Sequence, residues 1–99
     1  MIIPMRATII PSDKFCSVDG VSIVGVNMTN VAADVHAVQW FGTWGEQEML
    51  DLATDRINRN EVIQNLETYQ GVFNSYWDIR KVQEAIRQES IDEQTIIEV

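Results

Sequence analysis

The sequence predicts an α+β domain: a small antiparallel sheet of two β-hairpins packed by one long helix late in the chain. Three observations lead there. Short β-branched runs crowd the first half of the chain. Turn-forming residues, Asp19-Gly20 and Gly42-Thr43-Trp44-Gly45, separate two pairs of those runs. An apolar stripe with helical spacing begins only at Tyr69. At 99 residues the chain suits one domain over 1–99, with no room for two cores of ordinary size.

Strands are expected within residues 6–50. Arg6 to Ile10 is short and β-branched, and Pro11 with Ser12-Asp13 stops it. Lys14 to Val18 and Val21 to Val26 flank Asp19-Gly20, which suits the positive φ angles of a type I′ turn. A two-residue loop there sets Val18 opposite Val21, Ser17 opposite Ser22 and Cys16 opposite Ile23. Asn27 to Asp34 reads as a connector in which Asn30 caps a short helical turn through Val31, Ala32 and Ala33. In Val35 to Phe41, alternation sends Val35, Ala37, Gln39 and Phe41 to one face and His36, Val38 and Trp40 to the other. Glu46 to Leu50 returns as its partner, with Glu46 and Glu48 facing away from Gln47 and Met49.

Residues 51–67 are polar with isolated apolar anchors, and Asn58-Arg59-Asn60 interrupts them, which predicts a loop followed by a short helix. The helix is expected over 69–89. Tyr69, Val72, Phe73, Tyr76, Ile79, Val82 and Ile86 fall on one stripe, with Arg80 and Glu84 paired on its flank. Thr95 to Val99 has strand character and is a candidate to close the sheet.

The net charge of −8 comes from 15 acidic and 7 basic residues. Such a surface repels nucleic acid and anionic membranes at long range, and no stretch approaches the length of a membrane span. The acids are scattered, which favours solubility over nucleic-acid mimicry. Met1 to Met5 is too short and too interrupted by Pro4 for a signal peptide, so synthesis is expected in the cytosol.

Catalytic chemistry is thinly represented. His36 is the one histidine and Cys16 the one cysteine, which excludes a disulfide within the chain and any multi-cysteine metal site. A Cys16–His36 dyad is conceivable across a small sheet, but no local motif supports it. Glu46 and Glu48 stand ~7 Å apart on one strand face, a separation that glycosidases use, yet no sugar cleft accompanies them. Asp51 and Asp55 lack the remaining ligands of a calcium loop, and no glycine-rich phosphate loop occurs. The reading is therefore a non-enzyme without cofactor or metal. The candidate partner-binding residues are the aromatics Trp40, Phe41 and Trp44, clustered around one turn, and Trp77 on the edge of the helical stripe. The alternative is that the clustered rings all pack under the helix.

The stretch Ile9 to Asp13, then Ser17 to Val21 (SVDGV), then Val35 to Glu46 (VHAVQWFGTWGE) resembles a group of small proteins encoded near tail and tail-fibre genes of bacteriophages and prophages. Asn60 to Ile63 (NEVI), Tyr69 and Trp77 extend the resemblance, which spans about residues 9–77. It implies a virion component, or an assembly factor in the host cytoplasm, with no catalytic residue. Its implied partners are a phage tail or tail-fibre protein and further copies of the chain. A tail assembly chaperone that leaves the finished particle, and a small inhibitor of a host protein, are the competing roles.

Overall fold

The structure is a computed structural model that describes the backbone of residues 3–98 and the side chains of residues 3–88. Its strands are β1 (Ala7–Ile10), β2 (Phe15–Val18), β3 (Val21–Val24), β4 (Val35–Trp40), β5 (Gly45–Asp51) and β6 (Arg56–Ile63), followed by helix α1 (Gln70–Glu98). All six strands form one sheet in the spatial order β3-β2-β1-β4-β5-β6. Every neighbouring pair is antiparallel. Two three-stranded meanders, β1–β3 and β4–β6, are thus zipped together along β1 and β4, and α1 covers one face.

The Asp19-Gly20 hairpin has the register its turn chemistry dictates, with Val18↔Val21, Ser17↔Ser22 and Cys16↔Ile23. Both turn residues have positive φ, 48° at Asp19 and 88° at Gly20, as a type I′ turn requires. Asp19 also anchors the turn to the start of β1. Its Oδ1 accepts the Arg6 N–H at 2.8 Å, and its own N–H donates to the Arg6 carbonyl at 2.9 Å.

Four expectations are corrected. The helical turn expected at Val31 to Ala33 is replaced by two successive turns, closed by Val31 N–H to Met28 O and Val35 N–H to Ala32 O. A bulge between Val35 and Ala37 resets the alternation of β4, so Val35 joins Val38 and Trp40 in the core. Residues 56–63, expected as loop and short helix, form β6, which pairs with β5 from Asp51↔Arg56 to Gly45↔Ile63. Asp51 makes this possible by closing a tight turn: its carbonyl accepts the Asp55 N–H at 2.7 Å, and its Oδ1 accepts the Ala53 N–H at 2.9 Å. Residues 95–98, expected as a strand, are helical, and Val99 lies outside the described residues.

The core is built from Ile9, Cys16, Val18, Ile23, Val38, Trp40 and Met49 on the sheet, with Leu66, Tyr69, Val72, Phe73 and Tyr76 beneath them. Each full burial of such a side chain contributes roughly 1.5–3 kcal/mol. At the β4–β5 end, packing is close enough to demand glycine. A Cβ on Gly45 would lie 2.4 Å from the Gln39 carbonyl oxygen and 2.9 Å from Trp40 Cε3. Gly45→Ala is therefore expected to destabilise the fold by about 1–3 kcal/mol through overpacking, read as a lower urea midpoint in equilibrium unfolding.

Candidate partner-binding surfaces

The four candidate aromatics separate into different environments. Trp40 is only 3% exposed and sits on β4 between Ala7 of β1 and Gly45 of β5. It is a core residue, which corrects its expected place in a contact surface. The reason is that alternation along β4 puts Trp40 on the same face as Val38, and the helix packs on that face of a central strand. Its indole Nε1–H is buried with no acceptor among the described residues. The ring also walls a surface cavity of about 400 Å³ shared with Ile3, Gly42, Gln64 and Leu66.

Phe41 and Trp44 face outward on the turn that joins β4 to β5. The turn is closed by Phe41 N–H donating to Trp44 O at 2.8 Å, and Gly42 supplies its positive φ of 98°. The two rings meet with centroids 4.8 Å apart at 42°, and the Arg6 guanidinium lies 6.0 Å from the Phe41 centroid. Phe41 is half-buried, while Trp44 is 41% exposed. Trp77 is half-buried at the flank of the core. Its ring meets Tyr76 edge-on at 5.3 Å, and the Arg80 guanidinium covers it at 4.8 Å.

Two further surfaces were not marked by aromatic clustering. The first is the outer edge of the sheet at β6. Residues 56–60 are all exposed, and the ladder on their inner side is irregular, since Met49 pairs Arg59 while Leu50 pairs Ile57. Asn58 is the extra, bulged residue. A hydrogen-bonded relay runs from the core to this edge. The buried Tyr69 hydroxyl donates to Gln47 Oε1, Gln47 Nε2 donates to Glu61 Oε1 at 2.9 Å, and Arg59 Nε donates to Glu61 Oε2 at 3.1 Å. The hydrogen bonds from Gln47 and Arg59 hold the Glu61 carboxyl below the usual range. Burial pushes the Tyr69 phenol up to about 12. The β-branched Val62-Ile63 pair and the turn-prone Thr54-Asp55 were the available sequence signals for this strand.

The second is the distal part of α1. The helix crosses beneath β2 and β3, where the Tyr76 hydroxyl donates to the Val21 carbonyl at 2.8 Å. Ser75 Oγ ties the connector to it by accepting the Asn27 N–H at 2.9 Å. A 29-residue helix is ~43 Å long by its rise of 1.5 Å per residue. That is far more than the sheet can cover, and the molecule measures 61 × 28 × 18 Å as a result. The stripe that is buried at Val72 and Tyr76 and half-buried at Ile79 becomes exposed at Val82 and Ile86, 60% and 59% respectively.

Cys16 and His36 are not brought together. Cys16 lies on β2 and His36 on β4, with β1 between them; two strand spacings amount to ~10 Å. Burial drives the Cys16 thiol from 9.0 to about 12. His36 Nε2 stands 3.5 Å from Glu48 Oε1 at a half-exposed site. Glu46 and Glu48 border a shallow polar depression of about 180 Å³ together with Gln39 and Asn60. The Asp51 carboxylate serves its own turn. Among the described residues, no group of three or more His, Cys, Asp or Glu side chains is placed to hold a metal ion. No described helix is long and apolar enough to cross a membrane. No protein-family model, curated protein or solved structure matches the chain.

The split among the rings has measurable consequences. Trp40→Ala is expected to cost about 3–5 kcal/mol as a core truncation. Trp44→Ala loses an exposed ring pair, about 1 kcal/mol, and should stay folded by near-ultraviolet circular dichroism. The buried acids set an alkaline limit. Unfolding releases the Cys16 proton above pH 9 while the folded chain retains it, so stability is complete below that pH and declines as pH rises towards 12. The thiol alone contributes a slope of at most about 1.4 kcal/mol per pH unit. Urea midpoints between pH 8 and 11 should fall for the native chain and fall less steeply for Cys16→Ala.

Proposed function

We propose that this chain is a non-catalytic bacteriophage structural or tail-fibre-associated protein that acts through protein–protein contacts, in the virion or in the host cytoplasm during assembly. The observation that carries the contact reading is the apolar stripe of α1, which continues past the sheet as exposed Val82 and Ile86. A helical extension of this length gains little stability by itself in water. Apolar side chains repeated on one of its faces are the means by which a helix engages another protein. The Phe41–Trp44 turn adds a compact aromatic anchor at a separate site.

The phage assignment rests on the resemblance over residues 9–77. Its Val35 to Glu46 segment contains both the core strand β4 and the exposed Phe41–Trp44 turn. The segment after Trp77 has no counterpart in that resemblance, and it carries the exposed Val82 and Ile86 of α1. In this reading the sheet and first helical turns are a common scaffold, and the distal helix selects a tail or tail-fibre protein. A net charge of −8 favours a basic or apolar partner surface over nucleic acid or anionic lipid.

Mass spectrometry of purified virions tests the assignment. The chain should be detected in particles, and the double variant Val82→Glu/Ile86→Glu should be depleted from them about tenfold or more while its melting temperature stays within a few degrees of wild type. Absence of the wild-type chain from particles, with no phage protein recovered on it from infected cells, overturns the reading.

A further inference from the structure

We propose that β6 is a self-pairing edge: two copies of this chain join β6 to β6, antiparallel, about a two-fold axis at Asn60, with Arg59 of each copy opposite Glu61 of the other. This rests on the protein-contact reading above and gives one contact a defined partner, a second copy.

The sheet ends at β3 and β6. Of these, β3 has four residues and β6 has eight, so β6 offers the longer row of outward-facing N–H and C=O groups for another strand to pair with. Symmetry then restricts the registers. A two-fold axis normal to the sheet keeps each face on its own side, and side chains alternate between faces along a strand. Within the regular ladder from Arg59 to Ile63 a residue can therefore oppose only residues of its own parity, and every allowed register there is centred on one residue.

Charge selects among those centres. A centre at Arg59 sets guanidinium against guanidinium, and a centre at Glu61 sets carboxylate against carboxylate. Like charges directly opposite are destabilising, and opposite charges favourable. A centre at Asn58 places the β5–β6 bulge in the middle of the new ladder. A centre at Val62 leaves Glu61 opposite Ile63. Only Asn60 sets Arg59 and Glu61 each against a complementary partner, with Asn60 meeting its own copy, while Arg56 lies beyond the bulge and outside this ladder.

The local charge also suits a second copy. The chain as a whole carries −8, yet β6 contains two of its seven basic residues and one of its 15 acidic ones. The strand brought to the seam is therefore not itself acidic, and the carboxylates of Glu46 and Glu48 stand one strand further back on β5. The groups are already held in place. Arg59 is bonded to Glu61, Glu61 to Gln47, and Gln47 to the buried Tyr69, so pairing loses less side-chain freedom than it would between mobile surface charges. Each carboxylate oxygen has a second lone pair and the guanidinium has further donors, which lets the two in-strand pairs close into a ring of four alternating charges. Because the bulge at Asn58 shortens the regular ladder, the dimer is expected to be reversible and concentration-dependent, on the small side of specific interfaces.

Sedimentation velocity on the purified full chain tests this across a concentration series. Wild type should pass from monomer to dimer and stop there. Arg59→Glu and Glu61→Arg should each weaken association about tenfold or more, since symmetry applies each change twice, and the double reversal Arg59→Glu/Glu61→Arg should recover it. As a check independent of charge, Asn60→Cys should give a disulfide-linked dimer under mild oxidation, whereas Asn58→Cys should not, because Asn58 opposes Val62 in this register. A chain that stays monomeric throughout, growth beyond the dimer into open chains, a double reversal as weak as either single change, or cross-linking at Asn58 instead of Asn60 each overturns the proposal. These readouts use purified protein alone, so their failure leaves the virion result standing, and the converse also holds.

Discussion

The packing of Tyr69, Val72, Phe73 and Tyr76 onto one face of the sheet is the contact on which the rest of the molecule depends. A single sheet layer is not stable in water with its apolar face open, and here the start of α1 and the residues leading into it, Leu66 to Tyr69, supply the second layer. The four side chains span little more than two helical turns, yet they meet residues drawn from β1, β2, β3, β4 and β5. Two polar ties fix where the helix lies. Tyr76 reaches the Val21 carbonyl at the β3 side, and Tyr69 reaches Gln47 towards the β6 side. Helix direction and sheet width are thereby coupled.

That coupling explains why the surfaces proposed for partner contact lie at the periphery. The core stripe is complete by Ile79, and further along α1 the apolar Val82 and Ile86 are exposed. The meander β4–β6 extends the sheet in the opposite direction until β6 has the relay from Tyr69 beneath it but no further strand beside it. The Phe41–Trp44 turn projects from the end of the central β4–β5 pair. Each lies at the margin of the two-layer core, and each offers a different kind of surface: a helix face, a strand edge and an aromatic turn.

Much of the fold was legible locally. Asp19-Gly20 specified its hairpin and register because only a left-handed pair of residues matches the twist of the strands it joins. The helix was legible from Tyr69 onward because seven apolar residues kept one period. What misled was local polarity. Asn58-Arg59-Asn60 has the composition of a loop, but β5 offered a ladder of hydrogen bonds that outweighed weak strand propensity. Thr95 to Glu98 has strand composition and is helical, because continuing an existing helix costs less than starting a new element. Trp40 was marked as a contact residue because it neighbours Phe41 and Trp44 in sequence. The alternation of β4 separates it from Phe41, and only the position of the helix decides which face is the inner one.

By itself, then, the sequence determined the fold class, the first hairpin, the start and period of the helix, and an inventory with one histidine and one cysteine. These follow from short-range rules: turn geometry, periodicity and residue inventory. Tertiary structure alone decided which aromatic is buried, that a sixth strand forms, that a relay from Tyr69 holds Arg59 and Glu61 at its edge, and where the helix outruns the sheet. Those outcomes depend on contacts between residues distant along the chain, such as Gln47 with Glu61 and Tyr76 with Val21, and no local pattern specifies which distant groups will meet.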